Sequence, residues 1–400
     1  MSAIPKASSE EQFASDWRSF STDHLLLSAQ AQQDAVAVRW SDDLDSLYHY
    51  QWLRDNCQCA QCVHPVTREQ VFEIVDVPED LKPQQVQLTQ NNDLAVTWED
   101  GHQSLYGAGW LRSHSYDAAS RAERQAEQRT VQTWMADLPI PTFDFKAVMS
   151  EDKALLQWLL AARDVGLSRL VNMPTGEEIM EQVAHRISFI RESNFGVVFE
   201  VRTKVEAVNT NAYTSLELPH HTDLPTRELQ PGLQFLHCLV NDATGGESTF
   251  VDGFAIAQRL RDQYPEDFRL LTQTPVSFRN KAPQSDYRSL APIIGLDARG
   301  EISEIRLANW LRAPFDVQSS DMAAFYRAYR RFSSLTRDPA FIVSQRLNAG
   351  EMWCFDNRRT MHARQAFDQT SGLRHLRGCY MDRDELLSRI LVLQRNSDNL

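Results

Sequence analysis

Short alternating runs open the chain: Ala35-Val36-Ala37-Val38-Arg39-Trp40, Leu47-Tyr48-His49-Tyr50 and Leu94-Ala95-Val96-Thr97-Trp98 have the period and β-rich composition of strands. Gln70-Val71-Phe72-Glu73-Ile74 continues the pattern, and Asn91-Asn92-Asp93 and Asp100-Gly101 read as turns. The prediction is a small, mostly β N-terminal domain. The period then changes. Asp117 to Ala136, rich in Ala, Glu, Arg and Gln, predicts a connecting helix, with Pro139 to Phe145 as linker. Asp152 to Leu160 and Glu177 to Phe189 repeat apolar residues at helical spacing. Strands return in Gly196 to Val201, Leu233 to Val240 and Glu247 to Val251, with Gly245-Gly246 predicted as a tight turn between the last two. Asp252 to Arg269 reads as an outer helix and Asp321 to Leu335 as an amphipathic one. Phe341 to Leu347 and Met352 to Asp356 are strands about the turn Asn348-Ala349-Gly350-Glu351. Strands interrupted by helical insertions, with no Gly-rich phosphate loop and no internal repeat, favour an antiparallel barrel or sandwich over a doubly wound parallel sheet.

The chain has 400 residues, 42% hydrophobic and 24% charged, enough for one large domain and a small one. A formal net charge of -13 argues against an extended nucleic-acid surface. No apolar run approaches the roughly 20 residues of a membrane span, and Met1-Ser2-Ala3-Ile4-Pro5 lacks a signal-peptide pattern, so the expected location is cytoplasmic, without a membrane partner. A tail is expected over 1–22, the small β-rich domain over 23–115, the connecting helix and linker over 116–140 and the larger domain over 141–400.

Three of the six cysteines, Cys57, Cys59 and Cys62, are packed into one short segment, which in a chain with no export signal reads as metal binding before disulfides. Three thiolates this close can wrap Zn(II), and a thin small domain gains from the staple. The alternative is a cluster of reduced thiols. For the fourth ligand, His64 is near in sequence but awkwardly placed for one stiff knuckle, and His102, after the Asp100-Gly101 turn, could close the site from the opposite side. Cys238, Cys354 and Cys379 read as buried hydrophobes.

The second constellation begins at Leu218-Pro219-His220-His221-Thr222-Asp223-Leu224-Pro225. In a strand, His221 and Asp223 share a face. A second histidine from elsewhere would complete the two-histidine, one-carboxylate facial triad that suits non-haem Fe(II) oxygenases. His362 can supply it, and Arg374, one strand further on, can hold a dicarboxylate by paired charge-assisted hydrogen bonds. His220 and His375 should face away from the cavity by alternation, and His237 and His185 read as structural.

With these motifs the chain resembles the γ-butyrobetaine dioxygenase branch of the Fe(II)/2-oxoglutarate oxygenases, with trimethyllysine dioxygenase as a close relative. The resemblance runs from Trp52-Leu53-Arg54-Asp55-Asn56-Cys57 through Ala212-Tyr213-Thr214, His221-Thr222-Asp223, Gly245-Gly246-Glu247-Ser248 and Val251-Asp252-Gly253-Phe254 to Arg374-His375-Leu376. It implies a double-stranded β-helix (jelly-roll) catalytic domain behind a small zinc domain, usually as a homodimer. It implies His102 as the fourth zinc ligand, and Arg374 as the anchor of the 2-oxoglutarate C5 carboxylate with Thr249 as helper. Its chemistry places 2-oxoglutarate and O2 on the open positions of Fe(II), with succinate, CO2 and a hydroxylated substrate as products; ascorbate is expected to stimulate. Relatives hold a trimethylammonium group in an aromatic cage: Tyr213 and Tyr380 stand at two matching positions, Phe195 and Phe199 near those of a tyrosine and a tryptophan. Asn309 matches a residue that hydrogen-bonds the substrate's acidic end, with Asn211 or Asn209 assisting. Arg312, if it faced the cavity, would read a phosphonate or second carboxylate.

The reading is therefore an Fe(II)- and 2-oxoglutarate-dependent hydroxylase of a small quaternary ammonium acid, γ-butyrobetaine first, with trimethyllysine or a trimethylammonium phosphonate as alternatives. From another class, a non-catalytic metal-bound sensor or interaction module would share the cysteine knuckle. A zinc hydrolase is disfavoured because nothing near the triad supplies an evident general base.

Overall fold

The alternating N-terminal runs build two three-stranded antiparallel sheets in a computed structural model that describes residues 20–127, 130–202, 216–368 and 370–398. The chain falls into two units, residues 1–129 and 130–400. In the first, β1 (Leu26–Ala31), β2 (Ala35–Trp40) and β3 (Asp45–His49) form one sheet, and β4 (Pro83–Leu88), β5 (Leu94–Trp98) and β6 (Gln103–Tyr106) the other. Trp40, Tyr48, Leu53, Trp98, Tyr106 and Trp110 fill the core. Their polar tips are satisfied: Trp40 Nε1 donates to Ser46 Oγ at 3.1 Å and Trp98 Nε1 to Ser104 Oγ at 2.9 Å.

Two expectations fail here for one reason: tertiary partners take the backbone groups that regular structure would have used. Gln70 to Ile74 is not a strand; the Val71 and Phe72 amides donate to the Cys62 carbonyl at 2.9 and 3.1 Å, folding this stretch over the cysteine knuckle. The helix expected from Asp117 to Ala136 is described only over Ala118–Glu127, opened by Asp117, whose Oδ1 accepts the Ser120 amide at 2.9 Å. Residues 130–141 are irregular, because their amides go to distant partners: Trp134 donates to Asp252 Oδ2 at 3.0 Å and Ala136 to the Ala340 carbonyl at 2.9 Å, while the buried indole of Trp134 donates to the Val165 carbonyl at 2.8 Å.

The second unit is a double-stranded β-helix. Its larger sheet takes β7 (Thr142–Asp144), β8 (Leu167–Val171), β9 (Phe199–Arg202), β11 (Leu233–Asn241), β14 (Met352–Asp356) and β16 (Arg374–Met381), in the order β7-β8-β14-β11-β16-β9. The smaller takes β10 (Leu218–His221), β12 (Ser248–Asp252), β13 (Val343–Gln345) and β15 (Thr360–Arg364), in the order β10-β15-β12-β13. Alternation sorts each strand into two faces. Cys238, Phe250, Trp353, Phe355 and Leu376, drawn from both sheets, pack against one another as the inner layer. Phe235, Cys354 and Cys379 face outward onto the helices Asp152–Asp164, Ile179–Ile187 and Arg383–Asp398. Val251 and Met361 face outward onto Gly253–Gln263, Pro265–Gln273 and Met322–Leu335.

Gly245-Gly246 does not make a hairpin, since β11 and β12 lie in different sheets; it carries the chain across the barrel, both glycines at positive φ. The helix expected over Asp252–Arg269 is two, broken where Pro265 starts the second. No helix among the described residues is long and apolar enough to cross a membrane.

Arg359 and Asp252 tie the barrel's end together. The guanidinium donates to both Asp252 oxygens at 3.0 and 2.8 Å, to the Asp164 carbonyl at 2.8 Å and to that of Gln132 at 2.6 Å, with both side chains buried. Removing one partner of such a pair strands the other, so Arg359→Ala should cost about 3–5 kcal/mol in urea denaturation of the full chain. An unchanged midpoint and slope would show that the network contributes no stability.

Candidate active site

The triad is assembled from two strands and a turn. His221 closes β10, and the antiparallel register sets it directly opposite His362 on β15, ring centroids 4.2 Å apart. Asp223 arrives by a different route from the one its spacing suggests: the strand has already ended, and Leu224 beyond it sits at φ +52°. A clamp, not strand alternation, holds the carboxylate. Buried Asn357 accepts the Asp223 amide on Oδ1 at 2.7 Å and donates Nδ2 to the Asp223 carbonyl at 3.0 Å. Asp223 Oδ1 lies 3.3 Å from His221 Nε2 and Oδ2 3.9 Å from His362 Nε2. Thr222 points away and hydrogen-bonds Gln230 at 3.1 Å.

One ligand atom from each of His221, Asp223 and His362 falls within a 4.8 Å cluster. His221 Nδ1 lies 2.9 Å from the Pro219 carbonyl; as its donor it leaves the Nε2 lone pair for a metal. Burial pushes the His362 pKa down to about 3, with the His221 ring adding to it, so this imidazole is neutral at pH 7. Burial alone would raise the Asp223 carboxyl, but the His362 and His221 rings and the Tyr380 hydroxyl outweigh it and hold it well below the usual carboxylate range. A neutral imidazole and an ionised carboxylate on one face with a second imidazole fit a divalent cation with open positions.

Beside this face β16 brings Arg374 inward. Its guanidinium is desolvated, which lowers its pKa to about 10 and leaves it charged, and its buried Nε has no hydrogen-bond partner. A buried cation in this state calls for an anion. Arg364, on the inner face of β15, stands with Arg374 around the Phe367 ring, their guanidinium carbons 4.9 and 5.4 Å from its centroid. Burial and then the Arg374 charge lower its pKa to about 10. The register settles a further point of placement. Thr249 pairs with Ala363 on the outer face, where its hydroxyl lies 3.1 Å from His220 Nε2; Ser248 pairs with Arg364 on the inner face. The structure therefore brings Arg374, Arg364 and Ser248 to the cavity side and not Thr249. His375 turns outward to Glu200.

Phe199 stacks on Tyr380 with centroids 5.0 Å apart, and half-exposed Phe195 lies 6.5 Å from Phe199. Gly378 makes that stack possible, since a Cβ there would meet the Phe199 ring at 2.3 Å. Trp310, which sequence patterns do not single out, sets its ring edge-on to His221 at 4.7 Å. Next to it Asn309 Oδ1 accepts Arg312 Nε at 2.9 Å and the Tyr329 hydroxyl at 3.3 Å. The Arg312 guanidinium itself lies over Phe315, 4.5 Å from the ring centroid. Tyr213, Asn211 and Asn209 lie outside the described residues.

In the N-terminal unit, His102 Nε2 lies 3.3 Å from Cys57 Sγ and 3.6 Å from both Cys59 Sγ and Cys62 Sγ. The β5–β6 turn delivers it: Gly101 takes φ +83° and the His102 amide donates to Asp100 Oδ1 at 2.9 Å. His64 turns its Nδ1 to the Thr67 amide at 3.0 Å, outside the cluster. A hydrogen bond from Cys57, with the Arg54 guanidinium 3.3 Å from the sulfur, holds the Cys62 thiol below the usual thiol range. Burial, followed by the Arg54 charge, lowers the His102 pKa and keeps the ring neutral. A thiolate beside a neutral imidazole suits Zn(II).

Jelly roll, triad and buried guanidinium define the class: a non-haem Fe(II), 2-oxoglutarate-dependent dioxygenase, with a second, Cys3His site suited to zinc. The family model "Taurine catabolism dioxygenase TauD, TfdA family" matches residues 125–380, and "Gamma-butyrobetaine hydroxylase-like, N-terminal" matches 27–112. The chain is 59% identical over 380 residues to gamma-butyrobetaine dioxygenase of Pseudomonas sp. (strain AK-1), covering 95% of this chain and 99% of that protein. The Homo sapiens gamma-butyrobetaine dioxygenase is 32% identical, covering 91% and 95% respectively. Trimethyllysine dioxygenase of Meyerozyma guilliermondii is 29% identical, covering 93% and 96%. The chain belongs to the gamma-butyrobetaine dioxygenase family.

The two histidines near the knuckle should separate cleanly. His102→Ala should lower bound zinc and melt the N-terminal unit earlier, while His64→Ala keeps full zinc by elemental analysis. Cys59→Ser should behave like His102→Ala, and full zinc with unchanged melting would remove these residues from the site.

Proposed function

We propose that this protein hydroxylates γ-butyrobetaine to L-carnitine, converting 2-oxoglutarate and O2 to succinate and CO2. The observation that carries the reading is the 59% identity to a gamma-butyrobetaine dioxygenase along almost the whole of both chains. His221, Asp223 and His362 would hold Fe(II), and Arg374 would anchor the distal carboxylate of 2-oxoglutarate, with Arg364 and Ser248 on the same inner face. Bound Fe(II) with 2-oxoglutarate supplies the oxidising chemistry. The chain's own residues need no general base: they bind, orient and keep bulk water out.

Phe199, Tyr380 and Phe195 would form the described part of the wall facing a trimethylammonium group, each good contact contributing about 0.5–2 kcal/mol. Tyr213 would complete it, and Asn309 with Asn211 would meet the substrate's carboxylate. The donor-only Arg312 holds the Asn309 carbonyl oxygen, which turns the amide N–H groups toward that carboxylate. Arg312 is thereby a support for Asn309 and not a reader of a second acidic group. Phenylalanine at 195 and 199, the weaker cation–π partner, lowers the hold on the trimethylammonium group that γ-butyrobetaine shares with trimethyllysine and a trimethylammonium phosphonate, and the choice among the three rests on the identity to the relatives. We further propose a cytoplasmic homodimer built from the tail, zinc domain, linker and catalytic domain at 1–22, 23–115, 116–140 and 141–400.

Succinate release by the Fe(II)-loaded protein with 2-oxoglutarate and ascorbate tests the reading across γ-butyrobetaine, trimethyllysine and a trimethylammonium phosphonate. Stimulation by γ-butyrobetaine, with carnitine as product, is the expected result. Slow succinate formation independent of every cation would discard the substrate and keep the oxygenase; no turnover with iron bound would move the weight to a sensor module. Asp223→Ala should abolish turnover with unchanged melting, and retained activity would remove the triad assignment.

A further inference from the structure

Tyr380 touches the site twice. Its ring lies in the aromatic wall, stacked on Phe199 at an interplanar angle of 29°. Its hydroxyl donates to Asp223 Oδ2 at 2.7 Å. The ring's position is fixed independently of that hydrogen bond, because Tyr380 lies on the inner face of β16, with Gln234 of β11 as its cross-strand partner and Phe199 seated over Gly378 alongside. The two oxygens of Asp223 thus meet different neighbours. Oδ2 takes the phenol and lies 3.9 Å from His362 Nε2, and Oδ1 lies 3.3 Å from His221 Nε2.

We infer that the Tyr380 hydroxyl is a positioning group for the iron site: by donating to Asp223 Oδ2 it fixes the orientation of the carboxylate toward the two histidines, a task separate from that of the Tyr380 ring in the cation wall. Asn357 fixes the backbone of Asp223 and the phenol fixes its carboxylate plane, so the side chain enters the metal site with little freedom left to lose. The hydroxyl's role rests on the triad; the ring's role rests on the proposed quaternary ammonium substrate.

The experiment compares full-length wild type, Tyr380→Phe and Phe199→Leu, zinc retained, by equilibrium titration with Mn(II) followed by electron paramagnetic resonance. Anaerobic γ-butyrobetaine titration of the Mn(II)·2-oxoglutarate forms follows. Removing a supporting hydrogen bond to a ligand costs roughly 10–100-fold in metal affinity, so Tyr380→Phe should raise the Mn(II) Kd by that factor while its melting temperature holds. Its cation Kd should stay within about threefold, because phenylalanine keeps the π face. Phe199→Leu should do the reverse. Wild-type Mn(II) affinity in Tyr380→Phe overturns the inference, as does an equal loss of metal in Phe199→Leu, which would assign the effect to ring placement. Failure of wild type to bind γ-butyrobetaine would sink the substrate reading alone, since the metal titrations still decide what the hydroxyl does.

Discussion

One cross-strand register carries the site. His221 and His362 face each other because β10 pairs with β15 in the alignment that puts both rings on the inner face. A shift of a single residue would turn His362 outward, into the apolar layer where Met361 now packs against the helices. That layer resists the slip from one side. Phe355, 4.9 Å from the His362 ring, and Phe250, packed on Phe355, resist it from the other. The hydrophobic sorting of the two sheets is thus the mechanism that aims the ligands, and the metal site inherits its precision from a pattern that serves folding first.

Charge is treated in two opposite ways inside the barrel. Arg359 is buried with its donors matched by Asp252 and two backbone carbonyls, a closed network that serves the scaffold. Arg374 is buried in the same unit with its Nε unmatched, and its charge lowers the pKa of a second buried guanidinium, Arg364. A folded protein sustains such a pair where an anion completes it. The contrast separates an arginine closed within the scaffold from one whose buried charge an anion would complete. It also explains why this end of the barrel, and not the Arg359 end, suits a dicarboxylate.

The N-terminal unit solves a different problem with the same economy of parts. Its aromatic core is small, and the knuckle Cys57-Cys59-Cys62 gains its fourth member from a hairpin turn far along the chain. Closing a metal across that distance cross-links the unit much as a disulfide would, with Arg54 favouring the Cys62 thiolate beforehand. The Cys62 carbonyl takes the backbone donors of Val71 and Phe72, which is why a segment with strand-like composition is not a strand.

Local chemistry made much of this legible beforehand. The spacing of Cys57, Cys59 and Cys62, the His221-Thr222-Asp223 motif, and the order His362 then Arg374 are properties of covalent sequence, as are the residue types that sort strands from helices. What spacing could not supply is direction. Thr249 and Ser248 are adjacent and chemically alike, and only the pairing with Arg364 and Ala363 decides which one faces the cavity. Spacing alone left both His64 and His102 open, and the β5–β6 turn brings His102 to the sulfurs while His64 turns to the Thr67 amide. Asn357, Trp310 and Arg364 carry no motif, because their roles come from contacts between strands and turns distant in sequence. Sequence by itself determined the ligand types, the family and the alternation of faces, since these are written in neighbouring residues. Tertiary structure decided which of several equivalent side chains meet, because register and turn geometry arise only when distant segments bury their apolar faces together.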